Sequence, residues 1–270
     1  MANRKCPIIT LLSDFGLKDP YVASMKGVIL SLNPKCTLVD ITHQINSHDI
    51  KEGAFILGQA YSNFPKGTIH VSVVDPGVGS ARKPILIVTE NYFFEGPDNG
   101  LFTIALRRER VKQAVALTNQ KFFHSEISST FHGRDIFAPV AAYLSLRVKP
   151  ESFGLSIRSW HDISFPDPVM KQRKLIGEIV HVDAFGNLVS NIDRKSLLQF
   201  SKGRPLVTKI GKRTMRGFKK GYWEGKKEEP MVLIGSGGLL EISLREGSAQ
   251  KALKIKSGDP VLVEIGERRK

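Results

Sequence analysis

The most specific chemical signal in this sequence is Asp75-Pro76-Gly77-Val78-Gly79-Ser80-Ala81-Arg82. A Pro-Gly turn straight after the apolar run Thr68 to Val74 would fix the Asp75 carboxylate and leave backbone N–H groups unpaired. The glycines resemble those of a phosphate loop, but the Lys-Ser/Thr ending is absent and no helical pattern follows at once, which argues against a Walker loop. Arg82 can fold back across the turn onto Asp75. A carboxylate beside a guanidinium stays ionised and can hold a water without itself attacking. The same pair would serve as a structural salt bridge.

A second constellation is Phe131-His132-Gly133-Arg134-Asp135, which opens a predicted helix. His132 stands before a glycine at the front of that helix, where an imidazole can act as base or hydrogen-bond donor. A lone histidine is as readily structural, and Arg134 and Asp135 are expected to cap and pair. The remaining histidines (43, 48, 70, 124, 161, 181) form no HExxH or HxH pattern and have no cysteine beside them. No metal site is predicted.

Four acids, Asp14, Asp40, Asp75 and Asp183, are each expected just past a strand end. That is the crevice where open α/β sheets bind ligands, although Asp is also a preferred turn residue. Asp14-Phe15-Gly16 and Asp183-Ala184-Phe185-Gly186-Asn187 share an aromatic beside the acid, a combination that could stack a base while gripping a sugar. Gly235-Ser236-Gly237-Gly238-Leu239-Leu240-Glu241 offers an N–H-rich turn for a carboxylate and Glu241 for an ammonium; alone it reads equally as a glycine hairpin.

The elements that must position these residues fall into two textures. Pro7 to Leu12 is a continuous apolar run, the mark of a strand buried on both faces in a parallel sheet. Tyr21 to Leu32 has helical spacing and stops at Asn33-Pro34. Thr37 to Ile41 is a strand, Asp49 to Phe64 a helix, and Thr68 to Val74 a strand. Strand, helix, strand, helix, strand is a pair of right-handed crossover units. Strands over 84–89 and 92–94, a short helix over 100–108 and a helix over 135–146 complete the reading of 1–150 as an N-terminal α/β domain with a mostly parallel sheet. Residues 151–173, with Pro166 and Pro168, read as a connector. Short β-rich runs over 177–182, 206–210, 231–234, 239–244 and 260–265 make 174–270 a small antiparallel β-barrel domain.

The chain has 270 residues, 41% of them hydrophobic, enough for a sizeable core. No apolar stretch is long enough to span a membrane, and the first residues lack a signal-peptide core, so a cytoplasmic protein is expected. Cys6 and Cys36 are too few for a disulfide framework and are expected to be buried thiols. Forty Lys+Arg against 26 Asp+Glu give a net charge of +14, a balance that raises nucleic acid as a partner. Half of it lies in residues 201–230, where ten Lys/Arg face three Glu. Phe218, Tyr222 and Trp223 interleave there, but without a nucleic-acid-binding signature the segment reads as a solvated, partly mobile loop.

The ordered blocks Ser13–Gly16, Val39–His43, Val74–Arg82, Gly96–Gly100, Phe131–Ala142, Asp183–Asn187 and Gly235–Ile242 resemble the S-adenosyl-L-methionine (SAM) hydroxide adenosyltransferases, hydrolase relatives of the SAM-dependent fluorinase and chlorinase. The resemblance implies an α/β domain followed by a β-barrel, a homotrimer with sites between subunits, and displacement at C5′ of SAM by water to give adenosine and L-methionine. SAM is then a substrate, and no cofactor or metal is implied. It further implies that Asp75, Arg82 and His132 orient the water, that Asp14 holds the ribose diol, and that Phe131, Asp183, Asn187, Ser236 and Glu241 contact adenine or the methionine portion. The halogenases have Tyr where this chain has Asp75 and lack the Arg and His partners. His48 departs from the fluorinase pattern, which has Trp there, and the basic 201–230 segment departs as well. A halogenase forming 5′-chloroadenosine and a basic nucleic-acid-binding protein are the alternatives.

Overall fold

Five of the six residues of β1 (Ile8–Ser13) are buried, as a strand with neighbours on both edges and layers on both faces requires. In the computed structural model, which describes residues 6–266, the chain divides into two units, Met1–Ile163 and Ser164–Lys270. The first contains β1, α1 (Tyr21–Leu32), β2 (Thr37–Thr42), α2 (Ile50–Ala60), β3 (Ile69–Val73), β4 (Pro84–Thr89), β5 (Phe93–Pro97), α3 (Thr103–Leu106), β6 (Val111–Leu117), α4 (Ala138–Ser145) and β7 (Gly154–Ser156). Its sheet runs β2-β1-β3-β5-β4-β6-β7. The pairings β1·β2, β1·β3 and β3·β5 are parallel, whereas β4 pairs antiparallel with both β5 and β6, and β6 with β7. The α/β class is as expected, and the sheet is mixed.

The parallel half aims β1 and β3 the same way in register, with Ser13 opposite Val73, so Asp14 and Asp75 emerge at one sheet edge. Ile9, Leu11, Val71 and Leu86 pack with Met25 and Ile29 of α1 and with Phe137 and Val140. Asp49 caps α2, accepting from the Glu52 N–H at 2.9 Å. On the same sheet His70 is wholly buried, stacked on Phe94 with ring centroids 5.3 Å apart, and burial pushes its pKa down to about 3. It is a neutral core residue.

Three expectations about this unit need correction. Asp40 lies within β2, opposite Leu11, and its carboxylate takes the Lys26 ammonium at 2.6 Å, so it is no strand-end ligand. Cys6 is exposed and Cys36 half-buried, both as free thiols; Cys6 sits before the first strand, where no layer covers it. The helix expected over 135–146 is α4 preceded by a π-helical turn, Gly133–Phe137.

The second unit is an antiparallel sheet in the order β12-β11-β15-β9-β10-β14-β13, with β8 (Val169–Lys171) beside β9. Its members are β9 (Lys174–Val182), β10 (Leu188–Asp193), β11 (Leu206–Ile210), β12 (Arg213–Arg216), β13 (Pro230–Ile234), β14 (Leu239–Leu244) and β15 (Pro260–Ile265), with α5 (Arg194–Ser201) and α6 (Ala249–Leu253). Leu175, Ile179, Leu188, Ile192, Ile242 and Val263 fill the inside of this nearly closed barrel. The 201–230 segment is no loop: it supplies β11, β12 and a 3₁₀ turn, Tyr222–Glu224, with the start of β13. Met215 and Val207 turn inward and tie it to the core, leaving its lysines and arginines outside.

Glu95, in the middle of β5 between Val71 and Leu86, is fully buried, and neither carboxyl oxygen has a partner among the described residues. Burial raises its pKa well above 4.5. The folded state therefore holds a proton that the unfolded chain releases above pH 4.5, so this group costs stability as pH rises from there to its folded pKa. Relative to Glu95→Gln, the wild type should lose about 1.4 kcal/mol per pH unit in that window. Denaturant unfolding of both proteins at pH 5 and pH 8 checks this; a constant difference would contradict it.

Candidate active site

The Asp75 turn closes on itself. Val78 N–H donates to the Asp75 carbonyl at 3.2 Å, Ser80 N–H to the Gly77 carbonyl at 3.1 Å, and Arg82 N–H to Ser80 Oγ at 3.3 Å. These bonds bring Arg82 back over the turn, where Nε donates to Asp75 Oδ1 at 2.9 Å and Nη2 to Asp75 Oδ2. Both side chains are nearly buried, with 9% of Arg82 and 5% of Asp75 exposed. A bidentate pair of this kind fixes the carboxylate plane. Arg82 also lies over the Phe137 ring, 5.6 Å from its centroid, and its Nη1 is buried without a partner among the described residues.

His132 joins this pair. Arg82 Nη2 lies 2.8 Å from His132 Nδ1. A guanidinium has donors only, so Nδ1 must be the acceptor and the neutral ring carries its proton on Nε2. Burial and the adjacent Arg82 charge hold the imidazole below its ordinary pKa. In this tautomer His132 presents an N–H donor from Nε2, and the acceptor in the group is Asp75. His132 itself stands at the mouth of the π-helical turn.

Two further contacts lock the turn and the histidine together. Gly79 has φ +76°, and a Cβ there would lie 2.3 Å from the Ser129 carbonyl oxygen, so only glycine allows the 124–130 segment to approach. That segment is held by buried Asp135, whose Oδ2 accepts the Ser128 N–H at 2.8 Å while Arg134 Nε donates to Oδ1 at 2.6 Å. Arg134 in turn lies 5.2 Å from the centroid of the Phe131 ring. Phe131, Phe15 and Tyr21 form an aromatic cluster with centroids 5.2 to 5.9 Å apart. Asp14, between β1 and Phe15, accepts the His48 N–H on Oδ2 at 2.9 Å; His48 sits at φ +67°. The first unit thus assembles Asp75, Arg82 and His132 into one hydrogen-bonded group, and sets Asp14 and Phe131 on loops at the same sheet edge.

The remaining four candidates belong to the second unit. Asp183 and Asn187 hold the β9–β10 turn: Asp183 Oδ1 accepts the N–H groups of Phe185 and Asn187 at 2.9 Å, and Oδ2 accepts Asn187 Nδ2 at 2.8 Å. Phe185 is left 78% exposed at the tip. Glu241 is buried on β14, and its Oε1 accepts from Tyr222 OH at 2.7 Å and Ser243 Oγ at 2.6 Å. A Cβ on Gly235 would lie 2.4 Å from Glu241 Oε2, so the glycine turn is built around this carboxylate. Ser236 is exposed in that turn and has no bond to Glu241. Burial and the carboxylates of Glu241 and Asp183 push the Tyr222 phenol upward. Sequence reasoning missed Tyr222 and Ser243 as the donors to Glu241. Ser243 stands two positions beyond Glu241 on β14, on the same face of the strand, and that spacing was the available signal for the serine. Nothing local ties Tyr222 to a residue 19 positions away. No group of three or more His, Cys, Asp or Glu among the described residues could hold a metal ion.

A strand-end carboxylate pinned by a guanidinium, with a neutral imidazole on the same guanidinium, is an arrangement of the α/β-enzyme class that can order a polar reactant. Comparison with known proteins gives this class its family. Residues 9–154 match the model of the SAM hydroxide adenosyltransferase N-terminal domain, and residues 177–262 that of its C-terminal domain. The chain belongs to the SAM hydroxide adenosyltransferase family. It is 34% identical to an (R)-S-adenosyl-L-methionine hydrolase of Thermus thermophilus over 94% of this chain and 98% of that one. To the protein of the same name from Methanocaldococcus jannaschii it is 35% identical, over 94% of each chain. A solved structure of an uncharacterized conserved protein from Thermotoga maritima superposes with a TM-score of 0.89 at 34% identity, covering 94% of this chain and 99% of that one. Fluorinases are more distant, with 24% identity to that of Nocardia brasiliensis over 98% of this chain and 99% of that one.

The tautomer can be tested without substrate. Nitrogen-15 spectra of the His132 ring should show a protonated Nε2 and an unprotonated Nδ1 at neutral pH, and Arg82→Ala should restore exchange between tautomers. A protonated Nδ1 in the wild type would contradict the donor assignment.

Proposed function

We propose that this protein hydrolyses SAM, in the (R) form named for its hydrolase relatives, to adenosine and L-methionine. The observation that carries the reading is the Asp75–Arg82–His132 group, which supplies a fixed acceptor and a fixed donor for one water molecule. The water oxygen bonds to C5′ as the C5′–S bond breaks; the bonding pair stays on sulfur, neutralising the sulfonium, and the water loses a proton. Both Asp75 oxygens are engaged by Arg82, so the carboxylate orients the water and the proton passes on to solvent. A sulfonium carries its own leaving group, and the proposal needs no cofactor. Orientation alone can supply roughly 7–11 kcal/mol.

The other candidates are assigned to binding. Asp14, with Oδ1 unused by its neighbours, takes the ribose diol, and Phe131 packs near the nucleoside. Asp183, Asn187, Ser236 and Glu241 contact adenine or the amino-acid end, with Tyr222 and Ser243 steadying Glu241. Assembly as a homotrimer, with sites between subunits, and a cytoplasmic setting that suits two free thiols complete the reading; sedimentation at the mass of a monomer would refute the trimer. The halogenase reading has the fluorinase relatives behind it, at lower identity.

Incubation with SAM in chloride buffer should give adenosine and methionine; 5′-chloroadenosine would favour the halogenase. Asp75→Ala should lower kcat by about 10³-fold while leaving SAM binding measurable by calorimetry; unchanged turnover would remove Asp75 from its role. Protonating His132 removes the Nδ1 acceptor and sets a second cation beside Arg82, so kcat/KM should hold through neutral pH and fall only below 6.5, the ordinary imidazole value. An acid limb centred above 6.5 would contradict the lowered pKa.

A further inference from the structure

The 201–230 segment holds half the net charge of the chain, and the chemistry proposed above leaves its cations unused. In the structure this segment forms one side of the seam of the barrel. The strand order ends at β12 on one side and β13 on the other, and these two strands share no ladder. They meet through the chain just past β12, where Lys219 N–H donates to the Val232 carbonyl at 2.7 Å. A cavity of about 400 Å³ opens along this seam, lined by Arg213, Arg216, Lys219 and Lys226, with Glu229 as its one carboxylate. Glu229 lies 3.8 Å from Lys226, and both are largely exposed. Arg213, Arg216 and Lys219 are exposed and have no acidic partner among the described residues.

We propose that this seam binds the phosphate backbone of single-stranded nucleic acid. Four cations against one carboxylate in a single groove complement an anion of several charges. Arg213 and Arg216 are three residues apart on a strand, about 10 Å by strand rise, further than the oxygens of one phosphate reach. Together with Lys219 and Lys226 on the same lining, they offer cations to more than one phosphate. Bases have a platform beside it: the turn Tyr222–Glu224 leads into Gly225, which lines the cavity, and Trp223 is 71% exposed with its ring laid against Gly221. A cationic groove flanked by an exposed aromatic is how sequence-tolerant single-strand binding is built. An edge strand with an unpaired outer side needs charge to prevent pairing with another chain, which explains the arginines on β12 but not a concave cationic cavity beside an exposed tryptophan.

The test titrates the full chain with a fluorescein-labelled oligothymidylate of about 12 nucleotides, a length within single-strand site sizes, and reads anisotropy across a series of salt concentrations. Four contacted phosphates should give log K falling against log salt with a slope of about −3. The double substitution Arg213→Ala/Arg216→Ala should bring the slope to about −1.4, with SAM turnover unchanged as proof of an intact fold. Trp223→Ala should weaken binding about tenfold at every salt concentration without changing the slope. The proposal is overturned by absence of binding at low salt or by a slope the double variant does not alter. It is equally overturned by displacement with inorganic pyrophosphate at matched phosphate concentration, which would mark a small-anion site. Tighter binding of a duplex, indifferent to Trp223, would also sink it.

Discussion

The candidate site in the α/β half of this protein depends on keeping one ion pair out of water in one geometry. Taking Asp75 and Arg82 from water costs several kcal/mol per ion, and the attraction between them offsets that only when the hydrogen bonds are well formed. The turn between them meets this condition with bonds from Val78, Ser80 and the Arg82 N–H, so the pair does not have to find its geometry by side-chain rotation. Its remaining donor on Nη2 fixes the histidine. The pair therefore sets the protonation of His132 and the direction of its free N–H, neither of which the ring could hold alone.

The fold supplies the support. Parallel strands deliver Asp14 and Asp75 to the same edge because Ser13 and Val73 are in register. Buried Asp135 pins the 124–130 segment, and the missing side chain at Gly79 lets that segment close on the Asp75 turn. Arg134, bonded to Asp135, spreads over Phe131 and connects the charged layer to the aromatic cluster with Phe15 and Tyr21. Removing any one of these contacts would loosen His132 without touching it.

How much of this could be read in the sequence follows from the range of the forces involved. Local patterns carried β1, α1 and the Asp75 turn, because burial on two faces, helical spacing and Pro-Gly geometry act within a few residues. β6 was missed: Arg108, Glu109, Arg110 and Lys112 crowd its start, and only the pairing with β4 shows that Val115 and Leu117 are interior. β7 was hidden in a segment that read as a connector, since three residues of edge strand have no periodicity to detect. Asp40 looked like a strand-end acid until the ladder placed it opposite Leu11. The Tyr222–Glu241 bond spans the barrel wall and was invisible locally, which is why a segment judged by its charge alone looked like a solvated loop.

Under the proposed function, the same electrostatics bear on why water, and not a halide, suits this site. A halide needs a pocket whose donors are not already matched by an anion, because its dehydration must be offset by hydrogen bonds and positive potential. Arg82 is the cation at hand, and Asp75 neutralises it through two hydrogen bonds. An anion brought within reach of this pair would meet a carboxylate first, and like charges at such separations repel by an amount that burial enlarges. Water has no charge to dehydrate and has protons that a carboxylate accepts. In the proposed reaction the acid that would repel chloride is the acceptor that orients water, and beside a sulfonium it also favours the cationic substrate over the neutral products. Replacing that carboxylate by a neutral hydroxyl donor would remove the repulsion and the acceptor together.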